Sequence, residues 1–580
     1  MGSYHVAFLL SLIYDKIMRQ TWDLDSLYGI EELNKEIEAL FAQLAQIPAK
    51  GLKEAIRALL EIDLSLREIS SFIPCLISQN VKDEKALQLS SRLTELESKN
   101  SQINFSLDEK LAQCRDEEFA NLEKEFPEIG FVLRERRGWA REKLPSEKEG
   151  MIQELSVDGY HGWGEIYGAF IGQLKIDSLS VGQAENRLTN RDSELRARYF
   201  AQWEELWKSQ EIVFAQILNH LAGFRWKVYQ LRKWDNILKE PLFANRMGGA
   251  TLEVMWRAVE KYKGACVQFL NEKARLMQVK KMSWVDVEAP LPCAHEKLYS
   301  FEEAAAAIVQ CFSEYHPGMG KFAQKAFDEG WIEAEDRPNK RPGGFCVNLP
   351  KSRQSRIFMT FSGTKHNVVT LAHELGHAYH DAMVHGLPSF AQHYRMNIAE
   401  TASTFAEGLI LNHLFKKAAN DEEKRSLLHD KLQRGVTFIM NIHSRFVFEK
   451  SFYEKRKQGT LSAKELNDLM VQAQQEGYQN ILQQWHPHFW CAKMHFYFTD
   501  TPFYNFPYTF GYMLSLALSQ RNIQPAVYDA LLRESGQMSV ESLVKKHLGA
   551  DLRDEMFWDQ ALEGIQRDAV LFSSLTRVST

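Results

Sequence analysis

The feature that most constrains the fold of this chain is a set of apolar stripes with helical spacing. Near the N-terminus, apolar side chains recur at intervals of four and three residues, at Leu33, Ile37, Leu40, Leu44 and Ile47. This spacing places them on one face of an amphipathic helix. Only 16 prolines and 32 glycines interrupt the 580 residues, which also favours long helices. We therefore predict a mainly α-helical protein.

One segment departs from the helical pattern. Residues 337–366 contain prolines, the pair Gly343–Gly344 and two short runs of β-type residues, GFCVNL and RIFMTFSG. These features predict a small β element within a helical protein. A change in composition near residue 185 predicts a boundary between two domains. The expected division is an N-terminal extension (1–20), a helical domain (21–185) and a C-terminal domain that holds the motifs described below (186–580).

The composition excludes several classes of partner. The net charge of -6 and the pI near 6.3 provide no basic surface for nucleic acid. No apolar run approaches the roughly 20 residues that span a bilayer. The seven cysteines form no CxxC pair, which is typical of free thiols in a reducing compartment. We expect a cytoplasmic protein that binds neither nucleic acid nor membrane; the sequence does not indicate its oligomeric state.

A metal-binding pattern lies in the stretch TLAHELGHAYH. His373 and His377 are four residues apart, so a helix presents both imidazoles on one face to a single ion. Glu374 projects about 100° away around the helix axis, and from there it can serve as general base and acid for a metal-polarised water. His380 shares the face of the two histidines but lies about 10 Å along the axis from His373, too far for the same ion. His380 is therefore predicted to be a supporting or packing residue.

The third metal ligand is predicted in the segment MNIAETASTFAEGLILNHL. Glu400 follows His377 by 23 positions, and a loop of that length lets a second helix return beside the first. Two histidines and one glutamate leave a fourth position open for water, as a catalytic zinc site requires. We expect one Zn²⁺ per chain. Glu407, seven residues further on, either orients a ligand histidine or is a solvated surface charge.

A second constellation is HFYFTDTPFYNFPYTFGY, which begins at His495. It contains four tyrosines, Tyr497, Tyr504, Tyr508 and Tyr512. Aromatic clusters usually belong to a hydrophobic core. Tyrosine hydroxyls and an imidazole are also suitable donors to the oxyanion that forms when an amide is hydrolysed. From the residues alone, both interpretations stay open.

Together these motifs resemble the thimet oligopeptidase and oligoendopeptidase F family of zinc metallopeptidases. TLAHELGHAYH followed by AETASTFAE is similar to its zinc-binding pair, and the segment from His495 is similar to its C-terminal His/Tyr segment. RPGGFCVNLP and RIFMTFSGT resemble the strands before its zinc helix. The tyrosine segment looks closest to the branch that includes Pz-peptidase-like enzymes. Phe506–Pro507 departs from the pattern of many oligoendopeptidases F.

The resemblance implies a two-part helical clamshell around a deep channel, with a zinc metallopeptidase domain over residues 186–580. We also assign the glycine pair before the β-type runs to substrate binding. The expected functional residues are His373, His377 and Glu400 as zinc ligands; Glu374, His495 and Tyr508 as catalytic groups; and Tyr504, Gly343 and Gly344 as substrate-binding residues.

The activity implied by the resemblance is hydrolysis of internal bonds in short, unstructured peptides. The strand RIFMTFSG, residues 356–363, is expected to pair with the peptide backbone. Two alternatives stay open. One is a zinc carboxypeptidase of similar architecture, which needs a cation for the terminal carboxylate that the sequence does not identify. The other is an inactive peptide-binding module, against which the intact Glu374 and His/Tyr segment argue.

Overall fold

The computed structural model describes residues 18–291 and 297–577. Residues 1–17 of the predicted N-terminal extension lie outside the described residues. Most of the described chain is helical, and its strands are short and few, so the predicted fold class is confirmed. No helix among the described residues is both long enough and apolar enough to span a membrane.

The helices and strands are numbered here in chain order. The helices are α1 Ile30–Gln46, α2 Leu52–Gln79, α3 Glu84–Gln113, α4 Asp116–Glu125, α5 Gly130–Arg141, α6 Ser146–Ser156, α7 Gly162–Gln173, α8 Val181–Arg187, α9 Ser193–Leu231, α10 Lys239–Ala244, α11 Gly249–Leu276, α12 Phe301–Tyr315, α13 Pro317–Asp328, α14 Lys365–Val384, α15 Met396–Lys417, α16 Asp421–Gly435, α17 Ile442–Arg456, α18 Ala463–Gly477, α19 Phe489–Ala492, α20 Phe506–Gln520, α21 Pro525–Glu534, α22 Val540–Leu548 and α23 Glu555–Arg577. The strands are β1 Lys175–Ile176, β2 Leu179–Ser180, β3 Ile332–Glu333, β4 Phe345–Leu349 and β5 Gln354–Phe358.

Contacts within the chain divide it into two compact units. The described residues of the first unit are 18–141, 297–413 and 522–538, and those of the second are 142–291, 414–521 and 539–577. Each unit is therefore assembled from three separate stretches of chain. The domain boundary expected near residue 185 falls within the second unit and stays a prediction. The clamshell and its channel also stay predictions.

The apolar stripe of the N-terminal part forms the core of the first unit. Leu33, Ile37, Leu40 and Leu44 are buried along α1, as the spacing predicted. Ile47 is also buried, in a short 3₁₀ turn that follows the helix. The same core includes apolar side chains from α2 and α3 and from both longer strands of the sheet. Helix packing in this unit thus supports the β element that precedes α14.

A three-stranded sheet lies before α14, where the sequence predicted a small β element. Ile357 of β5 lies between Cys346 of β4 on the antiparallel side and Ile332 of β3 on the parallel side. Strand β5 is therefore central and ends at Phe358. At Ile357 and Phe358 both edges of β5 are occupied, so the expectation that the strand over residues 356–363 pairs with a peptide is wrong there. For residues 359–363 it stays a prediction. Strand β4 is an edge strand of this sheet.

The longest helix of the second unit is α9, with 39 residues. The side chain of Asp192 caps it by accepting hydrogen bonds from the backbone N–H groups of Glu194 and Leu195. Its buried face carries large aromatic side chains, among them Trp203 and Trp207. In the same unit α17 packs on α18, and α23 packs on α11 and α20. These helices hold the segment from His495 to Tyr512.

Candidate metal centre and its surroundings

Helix α14 carries the HExxH pattern, and its first turn fixes where the helix begins. The hydroxyl of Thr364 accepts a hydrogen bond from the backbone N–H of Asn367, and the Asn367 side chain accepts one from the backbone N–H of Thr364. This reciprocal cap stabilises the start of the helix. Apolar residues from Val368 to Val384 bury one side of α14. His373 and His377 remain partly accessible on the other side.

The second ligand-bearing helix, α15, approaches α14 closely at Gly376. A side chain at Gly376 would place its Cβ 2.8 Å from Cβ of Ala406 and 2.9 Å from the carbonyl oxygen of Ala402. Only glycine therefore permits this distance between the two helices. The close contact brings the carboxylates of Glu400 and Glu407 on α15 beside the imidazoles of α14.

Three predicted ligands come together across this helix pair. Nε2 of His373 lies 3.1 Å from Nε2 of His377 and 3.8 Å from Oε2 of Glu400. One ligand atom from each of the three residues lies within 4.8 Å of the others. The hydroxyl of Ser403 donates a hydrogen bond to Oε2 of Glu400 at 3.1 Å, which helps to orient that carboxylate. These three residues could hold one metal ion.

Glu407 contacts His373, one of the predicted ligands, rather than solvent. Its Oε1 is 2.5 Å from Nδ1 of His373, and its side chain is buried. A carboxylate that accepts from Nδ1–H leaves the lone pair of the imidazole on Nε2, which faces the other two ligands. Burial lowers the pKa of His377 well below its usual value, which favours the neutral imidazole that binds a metal.

Glu374 is buried beside the ligands, close to the start of strand β4. Burial raises the pKa of Glu374 to about 7; the nearby imidazole of His373 opposes this rise and the carboxylate of Glu400 adds to it. A Cβ on Gly344 would lie 3.7 Å from Oε1 of Glu374 and 3.3 Å from the carbonyl oxygen of Phe358. Gly343 has a φ of +104°, which favours glycine. Gly344 therefore lies directly beside the carboxylate of Glu374.

His380 has partners of its own within the first unit. Its Nε2 is 2.8 Å from the hydroxyl of Ser535, and its ring stacks on Tyr394 with the centroids 3.7 Å apart. It is fully buried, and burial lowers its pKa to about 3. The structure therefore places His380 as a buried packing residue, as helix geometry predicted.

The His/Tyr segment lies in the second unit, and the structure separates its tyrosines into two kinds. Tyr497 stacks on Tyr167, with the centroids 3.7 Å apart, and is buried in the core. Tyr512 stacks on Phe438 and is also buried. Tyr504 and Tyr508 are only partly buried. The core interpretation is therefore right for two of the four tyrosines.

The remaining two tyrosines form a cluster with His495. The ring of Tyr504 lies 5.2 Å from that of His495 and 5.9 Å from that of Tyr508. Burial, together with the positive charges of Arg445 and Lys493, lowers the pKa of His495 to about 3. Nδ1 of His495 is buried and has no hydrogen-bond partner among the described residues. This neutral imidazole could exchange a hydrogen bond with a ligand.

Two charged residues that hold this cluster were not expected from the sequence. Arg445 and Glu449 are four residues apart on α17, and they hydrogen-bond to the residues on either side of Tyr504. Arg445 donates to the side-chain oxygen of Asn505 at 2.9 Å, and the backbone N–H of Phe503 donates to Glu449 at 3.0 Å. Phe503 has a φ of +53°, which is unusual for a bulky residue, so this turn is held by its surroundings. Charged residues within the apolar pattern of α17 were the signal that could have identified them.

The fold and the site define the class of this protein. A helix pair that gathers two histidines and one glutamate at one position, with a second glutamate behind one histidine and a buried glutamate beside them, has the ligand set of a catalytic metal site for hydrolysis. The region from residue 295 to residue 563 matches the model of peptidase family M3, and it contains every candidate site residue named above. Over this region the chain is similar to the proteins of that family.

Comparisons that cover nearly the whole chain also find similarity to peptidases. The chain is 20% identical to an oligoendopeptidase F homolog of Lactococcus lactis, across 94% of this chain and 95% of the relative. Among solved structures, a protein assigned as a peptidase from Chlamydophila abortus has a TM-score of 0.82 at 19% identity, covering 97% of this chain and 99% of that one. Pz peptidase A with a bound inhibitor has a TM-score of 0.73 at 15% identity, covering 97% and 99%. The resemblance to oligoendopeptidases F and the metalloendopeptidase class predicted from the motifs are confirmed.

Proposed function

We propose that this protein is a zinc-dependent oligoendopeptidase that hydrolyses internal bonds of short, unstructured peptides. The observation that carries the proposal is the helix pair α14–α15, which brings His373, His377 and Glu400 within reach of one ion and buries Glu374 beside them. The proposal includes one Zn²⁺ per chain, held by these three ligands.

The donor set fits zinc. In a tetrahedral site with bonds of about 2.0–2.2 Å, ligand atoms lie about 3.3–3.6 Å apart. The separations of 3.1 Å between the two Nε2 atoms and 3.8 Å between Nε2 of His373 and Oε2 of Glu400 are close to this range. Three protein ligands leave one position open. When bound, zinc would act as a Lewis acid that polarises the peptide carbonyl and makes water more acidic.

Glu374 is proposed as the general base and acid of the reaction. Its carboxylate accepts a proton from the attacking water and later delivers a proton to the leaving nitrogen of the cleaved bond. A general base works best when its pKa lies near the working pH, and burial moves the pKa of Glu374 in that direction. Gly343 and Gly344 are proposed to let substrate approach this carboxylate, because a Cβ on Gly344 would occupy space in van der Waals contact with Oε1 of Glu374.

Strand β4 is proposed as the backbone template for the peptide, in place of β5. Its pairing with β5 occupies only one edge, and the described residues form no backbone ladder on the other edge. An extended peptide can add to such an edge through main-chain hydrogen bonds, which tolerate varied side chains. A folded substrate would first have to unfold, at a cost of about 5–15 kcal/mol. Short flexible peptides are therefore the preferred substrates.

His495 and Tyr508 are proposed as donors to the oxyanion, and Tyr504 as a contact for substrate. Support comes from the neutral imidazole of His495 and from the partial exposure of both tyrosines, which distinguishes them from the core tyrosines of the same segment. The proposal also places the enzyme in the cytoplasm, without nucleic acid or membrane partners. The six cysteines among the described residues are free thiols, as expected in a reducing compartment.

The decisive experiment is mass analysis of products from a mixed peptide library. The zinc-loaded enzyme is expected to cut internal bonds and to lose that activity when a chelator is added. The zinc-loaded Glu374→Gln variant serves as the matched control, and a stable folded protein is included as a second substrate. Release of single C-terminal residues would assign a carboxypeptidase instead. Peptide binding without cleavage would assign an inactive binding module.

A further inference from the structure

Residues 499–504 of the second unit form a turn that ends at Tyr504, named here the tyrosine turn. Its first residue, Thr499, contacts a π-helical turn over Val157–His161. The hydroxyl of Tyr160 donates to the carbonyl oxygen of Thr499 at 3.0 Å, and Nδ1 of His161 lies 2.9 Å from the hydroxyl oxygen of Thr499. π-helical turns are rare and occur frequently at functional sites. This one holds the start of the tyrosine turn.

A single buried arginine connects the two ends of the tyrosine turn. Nη2 of Arg225, on α9, donates to the carbonyl oxygen of Thr499 at 3.3 Å and to the hydroxyl of Tyr160. Nη1 of the same guanidinium donates to the hydroxyl of Tyr453 on α17 at 2.7 Å. The ring of Tyr453 lies 5.5 Å from that of Phe503, near the end of the turn. Arg225 is thus bound to the first residue of the turn and, through Tyr453, supports the last but one.

The backbone of the tyrosine turn depends on this support. Phe503 has a φ of +53°, which a bulky residue adopts only where its surroundings impose it. Its ring is buried against Tyr453, and its backbone N–H donates to Glu449 at 3.0 Å. The conformation of Phe503 sets the direction in which the chain reaches Tyr504. The position of Tyr504 therefore depends on contacts in which Arg225 takes part.

The chemistry of arginine suits this task. The side chain of Arg225 is only 7% exposed, so a movement of the guanidinium would leave buried donors unpaired. Its donors form a rigid planar fork, which lets one side chain hold separate acceptors at fixed positions. The acceptors here belong to the π-helical turn, to α17 and to the tyrosine turn itself. One residue therefore fixes three segments relative to one another.

Tyr504 lies at the centre of the groups that we propose for oxyanion and substrate contacts. Its ring is 5.2 Å from that of His495 and 5.9 Å from that of Tyr508. The ring of Phe498, which precedes the tyrosine turn, lies 4.9 Å from the same tyrosine. A displacement of the turn would change the position of Tyr504 among these rings.

We propose that Arg225 is a positioning residue for the peptidase reaction, because it holds the tyrosine turn in the conformation that presents Tyr504 to substrate. The inference rests on the proposed function and extends that site to a residue of α9. Arg225 acts through Tyr504 and needs no contact with substrate. Since Tyr504 is proposed as a substrate contact, loss of Arg225 should raise KM more than it lowers kcat.

The kinetic test introduces Arg225→Met into the wild-type protein and into the Tyr504→Ala protein. A small displacement of a contacting group can cost up to about 10²-fold, so we expect Arg225→Met to lower kcat/KM of the wild type by about 10–10²-fold. The Tyr504→Ala protein lacks the side chain that is positioned. In that protein Arg225→Met should have almost no further effect on kcat/KM, because the two residues act as a unit.

Hydrogen exchange, followed by mass spectrometry of peptide fragments, tests the contact without relying on activity. Hydrogen bonds to charged groups are among the stronger ones, so Arg225→Met should speed exchange in the tyrosine turn by about tenfold or more. Arg198→Met is the matched control. It removes an exposed arginine from the same helix and should leave both exchange and kcat/KM at the wild-type values.

Tyr160→Phe provides a second variant should the Arg225→Met protein not fold. It removes one hydroxyl that contacts both Arg225 and the carbonyl oxygen of Thr499. We expect a smaller change in the same direction, in exchange and in KM.

Three results would overturn the inference. The first is unchanged exchange of the tyrosine turn in both Arg225→Met and Tyr160→Phe. The second is an equal loss of kcat/KM on adding Arg225→Met to the wild-type and Tyr504→Ala proteins, and the third is normal kinetics of Tyr504→Ala itself. A wild-type protein that cleaves no peptide would contradict the proposed function instead. Faster exchange in Arg225→Met would then still show that Arg225 holds the turn.

Discussion

Nδ1 of His373 and Oε1 of Glu407 are 2.5 Å apart, so the second glutamate of α15 supports a proposed ligand rather than facing solvent. The contact depends on the close approach of the two helices. It fixes the tautomer of His373 and aims Nε2 at the position shared with His377 and Glu400. A residue seven positions from a ligand on one helix thus orients a ligand on the other.

Replacement of Glu407 should weaken metal binding without removing a ligand. Loss of a carboxylate behind a ligand histidine typically costs about 10–100-fold in metal affinity. We expect this loss for Glu407→Leu, and a smaller one for Glu407→Gln, whose amide oxygen can still accept from Nδ1–H. Competition with a chelating dye measures the affinity directly. Unchanged affinity in the leucine variant would show that the contact does not orient His373.

Glu374→Gln should retain zinc and lose turnover. Glutamine has nearly the shape of glutamate but cannot take a proton from water. The expected loss is at least the 10²–10⁴-fold that is typical of removing a general acid or base. Metal content and kcat of the same preparation are measured together. Normal cleavage by a zinc-loaded Glu374→Gln protein would exclude this residue as the base.

Glu400 and His380 should differ in their effect on the metal. Glu400→Ala leaves only two protein ligands and is expected to strip zinc or weaken it severely. His380→Ala removes hydrogen bonds to the α21 region and the stacking on Tyr394, so it should lower Tm while one zinc per chain remains. Metal analysis and thermal denaturation of both proteins distinguish the two roles. Loss of zinc from the His380 variant alone would reverse the ligand assignment.

Gly376→Ala tests whether close helix contact builds the metal centre. The added methyl would lie 2.8 Å from Cβ of Ala406, so the helices must separate. Overpacking of this kind costs about 1–3 kcal/mol, and we expect a lower Tm together with weaker zinc binding.

Gly408→Ala is the matched control, because this glycine lies on α15 with no atom within 4 Å of the added Cβ. Alanine is favoured over glycine in a helix by about 0.5–1 kcal/mol, so the control should be as stable as the wild type or more so. Equal zinc affinity in the Gly376→Ala and Gly408→Ala proteins would contradict the proposed role of the contact.

The sequence predicted those parts of the site that depend on local helix geometry. The four-residue spacing of His373 and His377 determines their shared face, because the rise and turn of an α-helix are fixed. The same geometry correctly separated His380 from the pair. The apolar spacing of α1 was equally local, and its side chains are buried as predicted.

The parts that were missed depend on contacts between distant segments. Strand β5 is central because it pairs with both β3 and β4. The alternation of apolar and polar residues along a single strand does not reveal the order of strands in a sheet. The hydrogen bond between the N–H of Phe503 and Glu449 joins residues 54 positions apart. No spacing within one element predicts such relationships.

The role of Tyr508 can be separated from that of the core tyrosines by removing single hydroxyl groups. If its hydroxyl donates mainly to the developing oxyanion, Tyr508→Phe should lower kcat more than it raises KM, since the contact is strongest in the transition state. Loss of one such donor typically lowers kcat by about 10²–10³-fold.

Tyr497→Phe is the control: it removes a hydroxyl from a buried tyrosine of the same segment and should leave the catalytic constants near those of the wild type. Steady-state kinetics on one internally quenched peptide give both constants for each protein. An unchanged kcat in Tyr508→Phe would transfer the donor role to Tyr504, whereas equal losses in both variants would mean that the hydroxyls act through packing.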